Sequence, residues 1–281
     1  MLGHRFSKRG NDVKKLALLA SASLVLMAGA AAAADLPSRR APPPAAAYTA
    51  VPVFTWTGFY VGGNAGYGFS DSNRITTRGN GPVTAANVAA GFRPGSFGAS
   101  PSGFVGGGQA GYNMQIGAFV VGFETDIMYT DLAKTTQYTS SRGDRASFRS
   151  TTDYLGTVRG RIGYAFDRVL VFATGGFAYG DVYNRAAFFN FAAPQNLQFA
   201  GAKDDIETGY VVGGGIEYAI PNYTLFNSAV TVKAEYLYYD LGNRNIVVGN
   251  VAPTAPNSYT SRFTNDGHIV RAGLNFKFGG F

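Results

Sequence analysis

The 281-residue chain holds 38 glycines, 22 Phe, 17 Tyr and one Trp, but no cysteine and only two histidines. The missing thiols exclude a thiolate zinc site, an iron–sulfur cluster, a disulfide scaffold and a lipid-modified cysteine anchor, so neither a metal nor another cofactor is expected. The formal charge of +7 is concentrated at the start, where Arg5, Lys8, Arg9, Lys14 and Lys15 stand against Asp12; the mild excess left over the rest of the chain argues against a nucleic-acid partner.

In chain order, the basic stretch to Lys15 is followed by an apolar run over 16–27 and by small residues ending in Ala32-Ala33-Ala34. These are the three parts of a secretory signal peptide, which places cleavage after residue 34. Residues 35–55 carry Pro37, Pro42, Pro43, Pro44 and Pro52 among alanines and arginines, a composition that reads as an N-terminal linker. From Trp56 to Phe281 one texture continues, read as one domain. No stretch there reaches eighteen apolar residues, so no helix of the mature chain is expected to cross a bilayer.

That texture has a period of two. Residues 59–69 alternate Phe59, Val61, Ala65, Tyr67 and Phe69 with glycine, Tyr60 and Asn64, and residues 104–116 alternate Phe104, Ala110, Tyr112, Met114 and Ile116 with Gln109, Asn113 and Gln115. The same pattern recurs over 119–130, 152–166, 209–220, 229–239 and 267–278. In these segments Glu124, Asp126, Asp153, Arg159, Arg161, Glu217, Lys233, Glu235, Arg271 and Lys277 all fall on the face opposite the apolar residues. Segment 169–183 is apolar on both parities, and the turn at 167–168 orients it: a two-residue hairpin loop puts Val169 and Val171 beside Phe166 and sends Leu170 and Phe172 to the other face.

Connections alternate in length. Those spanning 70–103, 131–151, 184–208 and 240–266 run to about twenty residues or more, whereas 117–118, 167–168 and the roughly eight residues near 221–228 are short. Long loops on one side and short turns on the other predict an all-β, eight-stranded antiparallel up-and-down transmembrane β-barrel with long extracellular loops and short periplasmic turns. The charged face also carries Gly62, Gly66, Gly68, Gly107, Gly111 and Gly163, which suits the narrow interior of a small barrel. Five acids would then meet five bases in the lumen and plug it; with strands level at their short-turn ends, Asp126 would face Arg159 and Glu124 would face Arg161.

Three motifs carry simpler explanations. Residues 106–111 match G-x-G-x-x-G but lie in an alternating strand with no helix after them, so dinucleotide binding is not expected. Arg142-Gly143-Asp144 reads as solvated loop charge, and Asn222-Tyr223-Thr224 as a chance glycosylation triplet. His268, near Asp266 and Ser261, is the one candidate base for a lipid-modifying barrel enzyme, though a lone His at a barrel rim is more simply a structural residue.

Several stretches are similar to a known family. Trp56-Thr-Gly-Phe-Tyr-Val-Gly-Gly-Asn-Ala-Gly-Tyr67, Leu155-Gly-Thr-Val-Arg-Gly-Arg-Ile-Gly-Tyr-Ala165, Ala173-Thr-Gly-Gly-Phe-Ala-Tyr-Gly180, Lys233-Ala-Glu-Tyr-Leu-Tyr-Tyr-Asp-Leu-Gly242 and Arg271-Ala-Gly-Leu-Asn-Phe-Lys-Phe278 occur in the order of its strands. Together they resemble the alphaproteobacterial outer-membrane β-barrel family, small porin-like surface antigens related to the OmpA membrane domain. The resemblance implies an outer-membrane location and no catalytic residue. It implies a role in envelope integrity, as a surface antigen or as a narrow porin. It also implies a C-terminal aromatic as assembly signal, with Phe276, Phe278 and Phe281 as candidates. The expected partners are outer-membrane lipid and lipopolysaccharide, the outer-membrane assembly machinery, and host surfaces touched through the loops.

Overall fold

The computed structural model describes residues 54–70, 73–191, 196–225, 228–251 and 257–279. The signal segment, nearly all of the proline-rich linker and Phe281 lie outside the described residues. In order come β1 (Gly58–Phe69), β2 (Arg74–Gly79), helix α1 (Pro82–Ala89), β3 (Ser96–Gly98), β4 (Ser102–Ile116), β5 (Phe119–Thr139) and β6 (Arg145–Phe166). They are followed by β7 (Val169–Phe189), β8 (Leu197–Leu225), β9 (Ser228–Asn250) and β10 (Tyr259–Phe278). From β4 to β10 each strand pairs antiparallel with the next, and β1 pairs with both β4 and β10, so the sheet closes on itself. Strand β2 lies on β10 beyond the end of β1, and β3 lies on β2. The pairs β1/β2 and β3/β4 therefore each occupy one position in the wall, giving the eight positions the sequence predicts.

Following paired residues around the ring from Phe59 leads through Tyr112, Phe123, Gly160, Gly175, Val212, Tyr238 and His268 back to Phe69, ten residues further along β1. A closed sheet absorbs such a stagger by tilting its strands about 35–45°, and eight strands leave an interior only wide enough for side chains. The stagger also corrects the expected register. Phe119 pairs with Tyr164 rather than Phe166, so Arg159 faces Glu124, and Arg161 faces Gly122. Neighbouring strands cannot all be level in a sheared ring, and a two-residue slip preserves every side chain's face.

The short turns follow the hairpin reading: Ile116 pairs with Phe119 and Phe166 with Val169. Gly117 (φ 63°) and Asp167 (φ 54°) take the left-handed conformations these tight reversals need. The third turn is shorter than predicted, because β8 continues to Leu225 and pairs there with Ser228.

The long connections depart further from expectation. Strands β5 to β10 run 20 to 29 residues, so most of 131–151, 184–208 and 240–266 is paired wall rather than loop. Irregularities at Tyr129/Leu132, Thr152/Tyr154 and Thr264/Asp266 mark where the sense of the wall changes. On the short-turn side of them apolar residues point outward. Beyond them Ile75, Phe148, Phe188, Phe199, Ile246, Val248, Tyr259 and Phe263 point inward and form a buried cluster, as in a soluble barrel. Helix α1 and its following turn sit against this end: the Tyr138 hydroxyl donates to the Gly91 carbonyl (2.6 Å), and Arg93 donates to the Phe189 carbonyl and the Gln198 amide oxygen (2.9 Å each). Burial pushes the Arg93 guanidinium below its ordinary value, opposed by Tyr259 and Asp144.

Candidate functional site: the buried charges of the lumen

Two further apolar layers lie below the aromatic cluster. Val105, Met128, Leu132, Leu155, Val182, Val211, Leu237 and Ile269 form one just inside the level of the irregularities. Trp56, Val120, Ala165, Leu170, Phe172 and Ala219 form the other at the short-turn end, where Leu170 and Phe172 point inward as the turn geometry requires. The Trp56 indole donates to the Asp167 carbonyl at 3.1 Å, and its backbone amide to Gln115 Oε1 at 2.7 Å.

Between those layers lies the polar section. Arg159 is its hub: one guanidinium nitrogen contacts Glu124 at 2.5 Å and Asp126 at 2.7 Å, and the other contacts Glu235 at 2.7 Å. Lys233 donates to both Glu124 oxygens at 2.8 Å. Arg271 joins Asp126 (2.9 Å) to Glu235 (2.8 Å through Nε). Arg161 pairs with Glu217, stays 3.9 Å from Glu124, and lays its guanidinium 3.7 Å from the Phe172 ring centroid. Four acids and four bases are thus interleaved, and all eight side chains are buried. Charges removed from water in this way are tolerable only with complete pairing and hydrogen bonding.

Neutral groups supply further bonds, although Asp126 Oδ1 and Arg161 Nε are left without a hydrogen-bond partner among the described residues. Tyr60 donates to Glu124 (2.8 Å), Thr231 (2.5 Å) and Asn275 (2.9 Å) donate to Glu217, and Gln109 bridges Asn275 to Asn64. A Cβ on Gly111 would sit 2.4 Å from the Tyr60 hydroxyl, so glycine there makes the space that lets Tyr60 reach Glu124.

Eight of the ten predicted lumen charges belong to this network. Asp153 does not: it lies at the β6 irregularity and is exposed on the wall. Lys277 faces inward but lies nearer the short-turn end, donating to the Thr57 and Gly279 carbonyls at 2.7 Å each. Sequence reasoning counted the charges on the inner face but gave no role to Tyr60, Trp56, Thr231 and Asn275. Nor did it weigh the apolar residues of the same parity, such as Met128, Leu155 and Leu237, which seal the polar section from above.

The outer surface carries two rings of aromatics. Phe59, Tyr112, Phe119, Tyr164, Phe166, Tyr218 and Phe278 encircle the short-turn end, and Tyr67, Phe69, Phe104, Tyr129, Tyr179, Tyr210, Tyr238 and His268 encircle the wall higher up. Along β1 the rings are ten residues apart, which at about 3.3 Å per residue and the usual barrel tilt spans roughly 25 Å, the height of a membrane barrel's apolar band. Phe278 pairs with Phe59 and Phe276 with Val61, both in phase on the outer face; Phe281 lies outside the described residues.

The other motifs resolve locally. Residues 106–111 are strand, followed by β5. Asp144 is buried rather than solvated: Arg142 donates to its carboxylate at 2.9 Å and its backbone amide donates to Ser140 Oγ at 3.0 Å. His268 faces outward, 2.6 Å from the Tyr236 hydroxyl, whereas Ser261 faces inward, 3.1 Å from Thr77 Oγ1, so these two do not assemble as a nucleophile and base. The side chains of 222–225 are outside the described set.

Comparison with known proteins adds a family to this geometry. The outer membrane protein beta-barrel domain family matches residues 20–278. A 31 kDa outer-membrane immunogenic protein of Brucella melitensis is 37% identical over 244 residues, covering 83% of this chain and 89% of the relative. A 22 kDa outer membrane protein of Rhizobium leguminosarum bv. viciae is 27% identical, covering 81% and 80%. Among solved structures, OprG of Pseudomonas aeruginosa aligns with 79% of this chain and 96% of its own at 13% identity, with a TM-score of 0.49.

Proposed function

The chain belongs to the outer membrane protein β-barrel domain family and resides in the outer membrane, and from that premise we propose a non-conducting, non-catalytic wall protein. Its role is envelope integrity and the display of its strand-built outer end at the cell surface. The observation that supports this reading is the succession of buried side-chain layers inside the wall. An apolar floor around Trp56, the ion-pair section around Arg159, the layer around Met128 and Leu237, and the aromatic cluster around Phe148 follow one another along the axis. Water and ions would have to displace packed side chains at every level, and the buried charges would each have to exchange a short ionic hydrogen bond for solvent.

The test is conductance. Purified, folded protein reconstituted into a planar bilayer should give no discrete current steps, and stepwise opening at moderate voltage would establish the narrow-porin function instead. Display rests on the hairpin tips rather than on Arg142-Gly143-Asp144 as an adhesive tripeptide, since the Asp144 carboxylate is already engaged by Arg142.

A further inference from the structure

Above the upper aromatic ring the wall continues, and its outward face changes character. On β2 and β10 the outward residues are Arg74, Thr76, Arg78 and Arg262, all exposed, beside the half-buried Thr260 and Thr264. Arg262 pairs with Thr76, which places Arg74 and Arg78 on its two diagonals. On β6 and β7, Arg149 pairs directly with Arg185, both exposed on the outer face. Like charges facing one another across strands weaken a sheet, so these arrangements oppose folding unless an anion lies over them. The acids on the same face are Asp204, diagonal to Arg185 across β8, and a set nearer the aromatic ring. That set holds Asp153, Asp181 and Asp266, each four residues below the arginine of its own strand, with Asp131 and Asp240.

The placement is regular. Arg74 lies five residues beyond Phe69, Arg149 five beyond Tyr154, Arg185 six beyond Tyr179 and Arg262 six beyond His268, each on the outward side of an aromatic or imidazole ring in its own wall position. At about 3.3 Å per residue and the usual tilt, these four arginines stand roughly 13–15 Å above the aromatic ring, and Arg78, four residues beyond Arg74, stands about 10 Å higher still. That is the level of the saccharide carried by a glycolipid whose acyl chains lie against the apolar band. The two clusters also sit four wall positions apart, on opposite sides of the eight-position ring. A single protein or a single flat surface could not cover both, whereas a surrounding lipid layer covers both at once.

We propose that Arg74, Arg78 and Arg262 on one side and Arg149 and Arg185 on the other form a collar that binds the phosphate-bearing saccharide of the outer-leaflet glycolipid, lipopolysaccharide. The guanidinium is suited to this task because it can hold phosphate oxygens in a two-pronged geometry while remaining charged. The exposed Thr76 hydroxyl between Arg74 and Arg78 supplies a hydrogen bond to sugar, whereas the Thr260 and Thr264 hydroxyls are engaged by Asn80 and the Arg74 backbone.

The experiment titrates the folded full-length protein in detergent with purified lipopolysaccharide at two salt concentrations. It compares the native chain with R74S/R78S/R262S, with R149S/R185S, with all five replacements, and with K134S/R168S, a control that removes as many charges as R149S/R185S; its lysine pairs with Ser150, on the strand parity opposite to Arg149, and its arginine lies in a short turn. Retention of the heat-shifted electrophoretic band shows that each variant is folded. Each cluster's removal should weaken binding about fivefold or more, and all five together should abolish its salt dependence; the control should stay near the native value. Dephosphorylated lipopolysaccharide should bind the native chain as weakly as the intact molecule binds the five-fold variant. Equal binding by the native and five-fold variant chains overturns the proposal. Displacement of lipopolysaccharide by a soluble sulfated polysaccharide at equal charge also overturns it, because the occupant would then be a free polyanion. Conductance plays no part in the readout, so a conducting lumen would leave this result unaffected.

Discussion

Each buried charge owes its effect to its partner, and the partners are unequal. Arg161 has one close carboxylate, Glu217, with Glu124 at 3.9 Å, whereas Glu124 also keeps Lys233 and Arg159. Replacing Arg161 by Leu strands Glu217 beneath Phe172 and should cost about 3–5 kcal/mol, as removal of one member of a buried pair does. Adding Glu217→Leu should recover a large part of that loss, while adding Glu124→Leu should not, since it leaves Glu217 stranded and takes from Lys233 the carboxylate that accepts both of its hydrogen bonds, with Glu235 3.5 Å away. The temperature at which the folded, fast-migrating band converts to the unfolded one measures these three variants and Glu217→Leu alone. Strictly additive shifts for Arg161 and Glu217 would show that they do not act as a pair. The sequence makes the face of these residues legible, because strand parity is independent of register. It does not make the partners legible, because the register depends on the stagger of the closed ring, a property of all eight positions together.

At the scale of elements, the short turns and the membrane-spanning halves of the strands were readable because outward apolar and inward polar residues alternate there without interruption. The outer halves were not. Their alternation has the opposite sense, with Phe148, Phe188 and Phe263 inward and Arg149, Arg185 and Arg262 outward, and an irregularity separates the two senses on several strands. A search for one continuous amphipathic pattern stops at that boundary and leaves the rest as loop. The segment ahead of β1 shows the same limit: Trp56 opens a recognisable strand motif, yet its burial depends on Leu170, Phe172 and the Asp167 carbonyl, more than a hundred residues away. Trp56→Ala removes the largest side chain of the short-turn floor and should lower stability by about 3–5 kcal/mol. The heat-conversion assay should report this as an earlier transition, with β-sheet circular dichroism retained below it. An unchanged transition would mean that the floor does not depend on the indole.

Taken as a whole, the molecule is a single closed wall that passes through the membrane and continues beyond it, so its orientation and the extent of its outer half can be read by one protease. Trypsin needs an accessible, unpaired Lys or Arg, and paired backbone resists it. Arg149, Arg185 and Arg262 are exposed but lie in ladders, and Arg93 is buried under helix α1. Arg142 is partly exposed and lies in the tip between β5 and β6, whereas Arg168 lies in the short turn at the opposite end. With the long strands outside, trypsin added to intact cells should cut first after Arg142, leave Arg149, Arg185 and Arg262 uncut, and reach Arg168 only once the outer membrane is permeabilised. Were 131–151 a loose loop, Lys134 and Arg149 would be cut as readily as Arg142, and cleavage after Arg168 in intact cells would reverse the orientation. Mass spectrometry of the released peptides separates these outcomes. A first cut confined to Arg142 would mean that the outer half of the wall is as firmly paired as the half within the bilayer.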